Sequence, residues 1–199
     1  NFAVGYNNID LAAARELGVT VTNTPGVLTE ATADLTRALI LAVTRRIVEG
    51  DSDIRATGRC EWDPLAFLGA SLQGKRLGII GMGRIGTAVA TPARAFGMEI
   101  LSARRGDALD ELLAASDMLS LHVPLWQETH HLIDAAALAK MKPGAYLINT
   151  ARGPLVDEEA HCDALEHGHL RGAGLDVYEH EPRVHPRLLR LKTAVVLPH

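Results

Sequence analysis

Only two cysteines, Cys60 and Cys162, occur in 199 residues, far apart and without C-x-x-C spacing. They build neither a disulfide framework nor a cysteine-ligated zinc site, and a reducing cytosol suits them. A charge excess of one sign is also missing, since 20 basic residues stand against 24 acidic for a net charge of −4. Such a balance gives no general attraction to phosphate backbones or anionic lipid, which argues against nucleic-acid and membrane-surface roles. The longest apolar run, Ala38 to Val43, is far short of the ~20 residues of a membrane span. Neither a basic, apolar leader nor a repeat or low-complexity tract is visible. What remains is 47% hydrophobic and 22% charged, the composition of a globular chain with ample area for a core. Asn1 at the start, and an end at Val196-Leu197-Pro198-His199 straight after an apolar run, suggest a piece of a longer protein.

Hydrophobic spacing divides the chain. Phe2-Ala3-Val4, a helical Ile9–Leu17 closed by Gly18, and the β-branched Val19–Thr22 read as a small β-α-β piece ended by Thr24-Pro25-Gly26. A long helix is expected from Thr29 to about Glu49, with Glu30 and Arg45-Arg46 suiting the helix dipole, and then irregular chain from Gly50 to Gly74. From Lys75 strands and helices alternate. Strands are expected at Leu77–Ile80, Glu99–Ala103, Met118–Val123, Ala145–Asn149, Gly172–Val177 and Ala194–Leu197. Helices are expected at Arg84–Phe96, Leu109–Ala115, Asp134–Met141 and Asp157–His167. That alternation predicts an α/β fold with a doubly wound parallel sheet. Pro92 falls inside one helix, which must kink or compensate.

Gly81-Met82-Gly83-Arg84-Ile85-Gly86 is G-x-G-x-x-G between an expected strand and an expected helix, the context in which it binds a dinucleotide pyrophosphate. Gly81 permits the turn, Gly83 admits the phosphates, Gly86 lets helix and sheet pack, and free amides at Arg84 and Ile85 face the anion. The second strand ends Ala103-Arg104-Arg105 with no carboxylate for a ribose 2′-hydroxyl. Paired guanidiniums favour a 2′-phosphate and hence NADP(H), with Asp107 folding back as the route to NAD(H). Ligands of such a sheet lie outside the strands' carboxyl ends. Arg152, Glu181 and His199 each follow an expected strand there. An arginine to grip a carboxylate, an imidazolium to give a proton and a carboxylate to orient it would suit reduction of a 2-oxo acid. His130-His131 and His167-Gly168-His169 lack the i, i+4 spacing of a helical zinc site, so no metal is expected.

These motifs, together with His122-Val123-Pro124-Leu125, Asn149-Thr150-Ala151-Arg152-Gly153, Gly174 to Pro182, Leu197-Pro198-His199, Val4 to Asp10 and Asn23-Thr24-Pro25-Gly26, occur in this order in the D-isomer-specific 2-hydroxyacid dehydrogenases. The chain resembles that family over practically its whole length, and most of all its glyoxylate/hydroxypyruvate reductase branch. The resemblance implies Arg152 as substrate-binding arginine, His199 as acid/base and Glu181 as its partner. It implies Asp176, Thr150, Ala151 and Thr32 near the nicotinamide, Arg104 and Arg105 near the adenosine ribose, and His122, Val123 and Pro124 near the adenine. The amides of Val4 and Gly5 would hold the substrate carboxylate. It further implies a Rossmann-type coenzyme domain over 25–199, with residues 1–24 ending a flavodoxin-like substrate domain. A homodimer through the long helix and the Trp62 loop is also implied. His161-Cys162 stand where aliphatic residues are expected, and are taken as partly exposed and non-catalytic. Phosphoglycerate and formate dehydrogenases of the same class, and a nucleotide-sensing corepressor scaffold, are the alternatives.

Overall fold

The computed structural model describes residues 1–104 and 106–199. Six strands form one parallel sheet: β1 (Arg76–Ile80), β2 (Glu99–Ala103), β3 (Met118–Leu121), β4 (Ala145–Asn149), β5 (Leu170–Leu175) and β6 (Ala194–Val196). Their order across the sheet is β2-β1-β3-β4-β5-β6. The chain thus winds outward from β1 to β2, returns to β1's other side, and winds outward again through β6.

Both faces are covered, and the strand residues show why. Leu77, Ile79, Met118, Tyr146 and Ile148 belong to one buried cluster, whereas Ile80, Leu119, Leu121 and Leu147 belong to another. Alternation along each strand sends successive side chains to opposite faces. The first face is covered by α2 (Thr29–Thr44) and α4 (Arg84–Ala95). The second is covered by α5 (Asp110–Ala115), α6 (Ala135–Lys140) and α7 (Glu158–Glu166). A short helix, α1 (Leu11–Glu16), lies outside the sheet with Asp10 capping its first amides.

Pro92 is accommodated in the last turn of α4. Its ring leaves the Ala88 carbonyl without the usual i+4 amide, and the Arg37 guanidinium of α2 donates to that carbonyl instead at 3.0 Å. The compensation therefore comes from a neighbouring helix.

Four expectations need correction. The helix expected over 29–49 stops at Thr44, and a separate helix, α3 (Ile47–Thr57), follows. Arg46 between them is left-handed at φ +53°. The Thr44 carbonyl accepts the Ala70 N–H at 2.8 Å, so the returning loop caps α2. The Arg46 guanidinium grips Glu49 through two 2.7 Å bonds and lies over the Phe67 ring. The stretch expected to be irregular from Gly50 consequently begins as α3. Val19–Thr22 forms no strand. Asn1 N to Thr22 O, Thr24 N to Ala3 O and the Asn23 side-chain amide to Val4 O join its end to the first residues, with too few backbone bonds for a ladder, and a two-stranded pair alone is marginal in water. Finally, His161 and Cys162 are buried, with 1% and 0% exposure, because α7 turns that face onto the sheet and the 180–190 loop.

Candidate active site

The carboxyl ends of β1 and β3 part where the sheet order reverses, and the glycine turn lies there. Gly81 has φ +99°, and a β-carbon on it would meet the His122 carbonyl at 2.7 Å. A β-carbon on Gly86 would stand 2.3 Å from the Gly81 carbonyl oxygen, whereas one on Gly83 would meet open space. Gly81 and Gly86 therefore keep helix, turn and neighbouring strand in contact, while Gly83 leaves the mouth of the crevice clear. Gly83 is also the N-cap of α4, and no side chain caps that end. The first amides of a twelve-residue helix thus offer donors and the positive dipole end to an anion. Arg84 and Ile85 open that helix. These features fit a dinucleotide pyrophosphate.

Around this turn the sheet edge is polar but mostly neutral. The His122 Nε2 meets Ser120 Oγ at 2.9 Å, and burial holds its pKa down at about 4. It is a neutral imidazole at neutral pH. Val123 and Pro124 continue from it along the rim. On the β2 side, Arg104 is exposed, and its N–H donates to Asp107 Oδ2 at 2.7 Å. Arg105 lies outside the described residues.

At the ends of β4, β5 and β6 the candidate reactive groups converge. Asn149 closes β4, and its side chain shapes the following turn by accepting the Ala151 N–H at 3.1 Å and donating to the Arg152 carbonyl at 2.8 Å. Thr150 is buried, its hydroxyl 2.9 Å from that of Thr36 on α2, and Thr36 donates to the Thr32 carbonyl one turn earlier. The start of α2 is thereby fastened to the β4 turn, which brings Thr32 to this edge. The Arg152 side chain reaches the first residues of the chain. Its Nε donates to Asn7 Oδ1 at 3.2 Å, and a β-carbon on Gly5 would collide with Nη2 at 2.2 Å. Gly5 thus sits against the guanidinium. Asn7 is a partner that residue patterns did not single out.

His199 Nδ1 is 2.9 Å from Glu181 Oε2, and Glu181 Oε1 accepts the Tyr178 N–H at 3.0 Å. The Tyr178 hydroxyl donates to the Leu197 carbonyl at 2.7 Å, which fixes the segment just before His199. Both members of the pair face solvent, with side-chain exposures of 47% and 36%. Asp176, half buried after β5, is near enough to feel both; burial raises its pKa, the His199 charge opposes this and Glu181 adds to it. Its N–H donates to the Asn149 carbonyl at 3.0 Å. Arg152 and His199 therefore stand on one sheet edge, following strands two places apart, with Asp176 between them.

The glycine turn at the switch point of a doubly wound parallel sheet defines the class, a dinucleotide-binding α/β domain, with a guanidinium and an imidazole–carboxylate pair along the same edge. Residues 37–199 match the family described as D-isomer specific 2-hydroxyacid dehydrogenase, NAD binding domain. A glyoxylate reductase of Thermococcus litoralis is 50% identical over 215 residues, an alignment covering all of this chain and 65% of that protein. Among solved structures, an NADPH-dependent glyoxylate/hydroxypyruvate reductase of Sinorhizobium meliloti in complex with NADP and malonate superposes with a TM-score of 0.88. It is 37% identical, with 100% of this chain and 66% of that one covered. A D-lactate dehydrogenase of Aquifex aeolicus complexed with NAD and lactic acid gives a TM-score of 0.85 at 33% identity, covering 98% and 67%. The chain belongs to the D-isomer specific 2-hydroxyacid dehydrogenase family, and it spans about two-thirds of the length of these relatives. NAD-bound and NADP-bound relatives both exist, so the nicotinamide class of coenzyme is common to them while the choice between the two differs.

Proposed function

We propose that the protein carrying this chain reduces a small 2-oxo acid of the glyoxylate or hydroxypyruvate kind to the D-2-hydroxy acid, using NADPH. The His199–Glu181 pair, on the edge that also carries Arg152 and the glycine turn, carries this reading. When bound, the coenzyme supplies the hydride. Arg152 and the Val4–Gly5 backbone hold the substrate carboxylate, and the guanidinium polarises the neighbouring carbonyl. His199 holds the proton that the carbonyl oxygen takes as it becomes a hydroxyl, and Glu181 keeps the ring oriented through Nδ1. Asp176, Thr150, Ala151 and Thr32 line the nicotinamide end, and His122, Val123 and Pro124 the adenine end. A corepressor needs the glycine turn but not the acid–base pair, which favours the enzyme.

NADPH is preferred because Arg104 follows β2 where a carboxylate would serve NADH, and Asp107 turns one oxygen to the Arg104 amide. Residues 1–24, outside the sheet, are the end of a substrate-binding domain, with 25–199 forming the coenzyme domain. Homodimerisation involves the Trp62 loop and the stretch expected as one long helix, whose continuation in α3 exposes Ile47 and Ile54 beside Trp62, Leu65 and Leu68 of the loop; part of α2's apolar face also covers the chain's own sheet. Free Cys60 and Cys162 suit a cytoplasmic setting, and no helix among the described residues is long and apolar enough to cross a membrane. The test is coenzyme oxidation against a panel of 2-oxo acids, with dissociation constants for NADPH and NADH. Turnover of glyoxylate or hydroxypyruvate with tighter NADPH binding is expected. Tighter NADH binding would overturn the coenzyme assignment, and absence of turnover with every acid would overturn the enzyme.

A further inference from the structure

Beside the crevice, three metal-ligating side chains meet that take no part in the chemistry above. His130 and His131 follow a single 3-10 turn, Gln127–Thr129, in the connection from β3 to α6. Glu179 lies in the turn after β5. Neighbouring residues ordinarily send their side chains in different directions, but His131 is left-handed at φ +50° and the two imidazole centroids are 4.0 Å apart. A residue with a β-carbon keeps that conformation only where its surroundings hold it. Here the His131 N–H donates to the Pro154 carbonyl at 2.8 Å, and its Nε2 meets Glu179 Oε1 at 2.7 Å.

The carboxylate is oriented from behind. Glu179 Oε2 accepts the N–H of Glu158, the first residue of α7, at 3.2 Å, and the Glu179 N–H donates to Glu158 Oε1 at 3.3 Å. Such partners fix a ligand's direction in metal sites. The ligand atoms of His130, His131 and Glu179 all lie within 4.8 Å of one another. Bonds of about 2.0–2.1 Å in a tetrahedral shell separate ligands by roughly 3.3 Å, so exposed His130 need swing only a short way. A second observation points the same way: the other Glu158 oxygen, Oε2, is buried without a hydrogen-bond partner, on a side chain 6% exposed and beside Glu179.

We propose that His130, His131 and Glu179 bind a divalent transition-metal ion of the zinc and cobalt kind, tying the β3–α6 connection to the turn that carries Glu181. Two imidazoles and one carboxylate are the ligands that such ions favour, whereas calcium and magnesium take oxygen. The ion would replace the proton shared by His131 and Glu179, and water would complete its shell.

The test is titration of the full chain, stripped with chelator, with Co²⁺, followed by its visible absorption and by competition with Zn²⁺. One saturating equivalent is expected, displaced by Zn²⁺. His130→Ala, an exposed position, and Glu179→Gln should each weaken binding at least about tenfold, while His167→Ala at the far end of α7 should leave it unchanged. Absence of a saturable signal, equal binding by parent and His130→Ala, or a signal lost in His199→Ala but kept in His130→Ala would each overturn the proposal.

Discussion

The turn after β5 carries two glutamates two residues apart, and each is paired with a histidine from a different part of the chain. Glu181 meets His199 at 2.9 Å, and Glu179 meets His131 at 2.7 Å. Each carboxylate also gives its other oxygen to a backbone N–H, that of Tyr178 or Glu158. The pairs differ in what surrounds them. His199–Glu181 stands open to solvent with Asp176 in electrostatic range, on the edge where Arg152 and the glycine turn lie. His131–Glu179 is packed more tightly and has His130 and Glu158 as company. An imidazole–carboxylate pair is thus a generic piece, and its neighbours set whether it stands open beside a guanidinium or packed against a second histidine. A third histidine completes the contrast. His161 Nε2 is buried without a partner, and burial holds the ring at a pKa of about 4.

The largest expected effect separates the two pairs. His199→Ala should lower kcat for 2-oxo acid reduction by about 10²–10⁴-fold, and Glu181→Gln by roughly tenfold or more. Steady-state kinetics check both, and near-normal turnover in His199→Ala would break the contrast. Glu179→Gln should register first in stability, by about 1 kcal/mol from the disturbed hydrogen bonds to His131 and the Glu158 N–H, read as a lower melting temperature.

His161 sharpens the same comparison through pH. Its folded pKa, about 4, lies below the ordinary 6.5, so the unfolded chain takes up a proton that the folded one refuses. Stability is therefore unaffected above pH 6.5 and falls as pH drops from there toward 4, by about 3 kcal/mol in all. His161→Leu should remove that part of the acid dependence. At neutral pH it should also add about 1 kcal/mol by deleting an unsatisfied nitrogen. Denaturation midpoints measured across that range check this, and an unchanged acid slope would contradict it.

Much of the fold was legible because it is local. The strands Glu99–Ala103 and Ala145–Asn149 lie where their apolar runs place them, and the glycine turn stands between a strand and a helix as its spacing requires. What escaped depends on residues distant in sequence. The stop of α2 at Thr44 needs Ala70 to cap its carbonyl, and a left-handed Arg46 has no signature in helical spacing. His161-Cys162 read as out of place, yet Cys162 Sγ lies 3.6 Å from His185 Nδ1, in a loop that no periodicity assigns to that helix. Of the candidate site, Arg152, Glu181 and His199 were visible at strand ends, whereas Asn7 and Thr36 were not. Both act across the fold, on groups 145 and 114 residues away. The His130–His131–Glu179 cluster was invisible for a related reason: adjacent histidines face one way only because His131 is left-handed.

In the proposed function Arg152 acts on the substrate and not on the coenzyme. Arg152→Ala, measured by stopped-flow coenzyme oxidation and by coenzyme titration, tests it most directly. The rate should collapse by at least about a hundredfold while the coenzyme dissociation constant stays within about threefold. A retained rate, or a loss of coenzyme affinity that accounts for the whole decrease, would contradict the account.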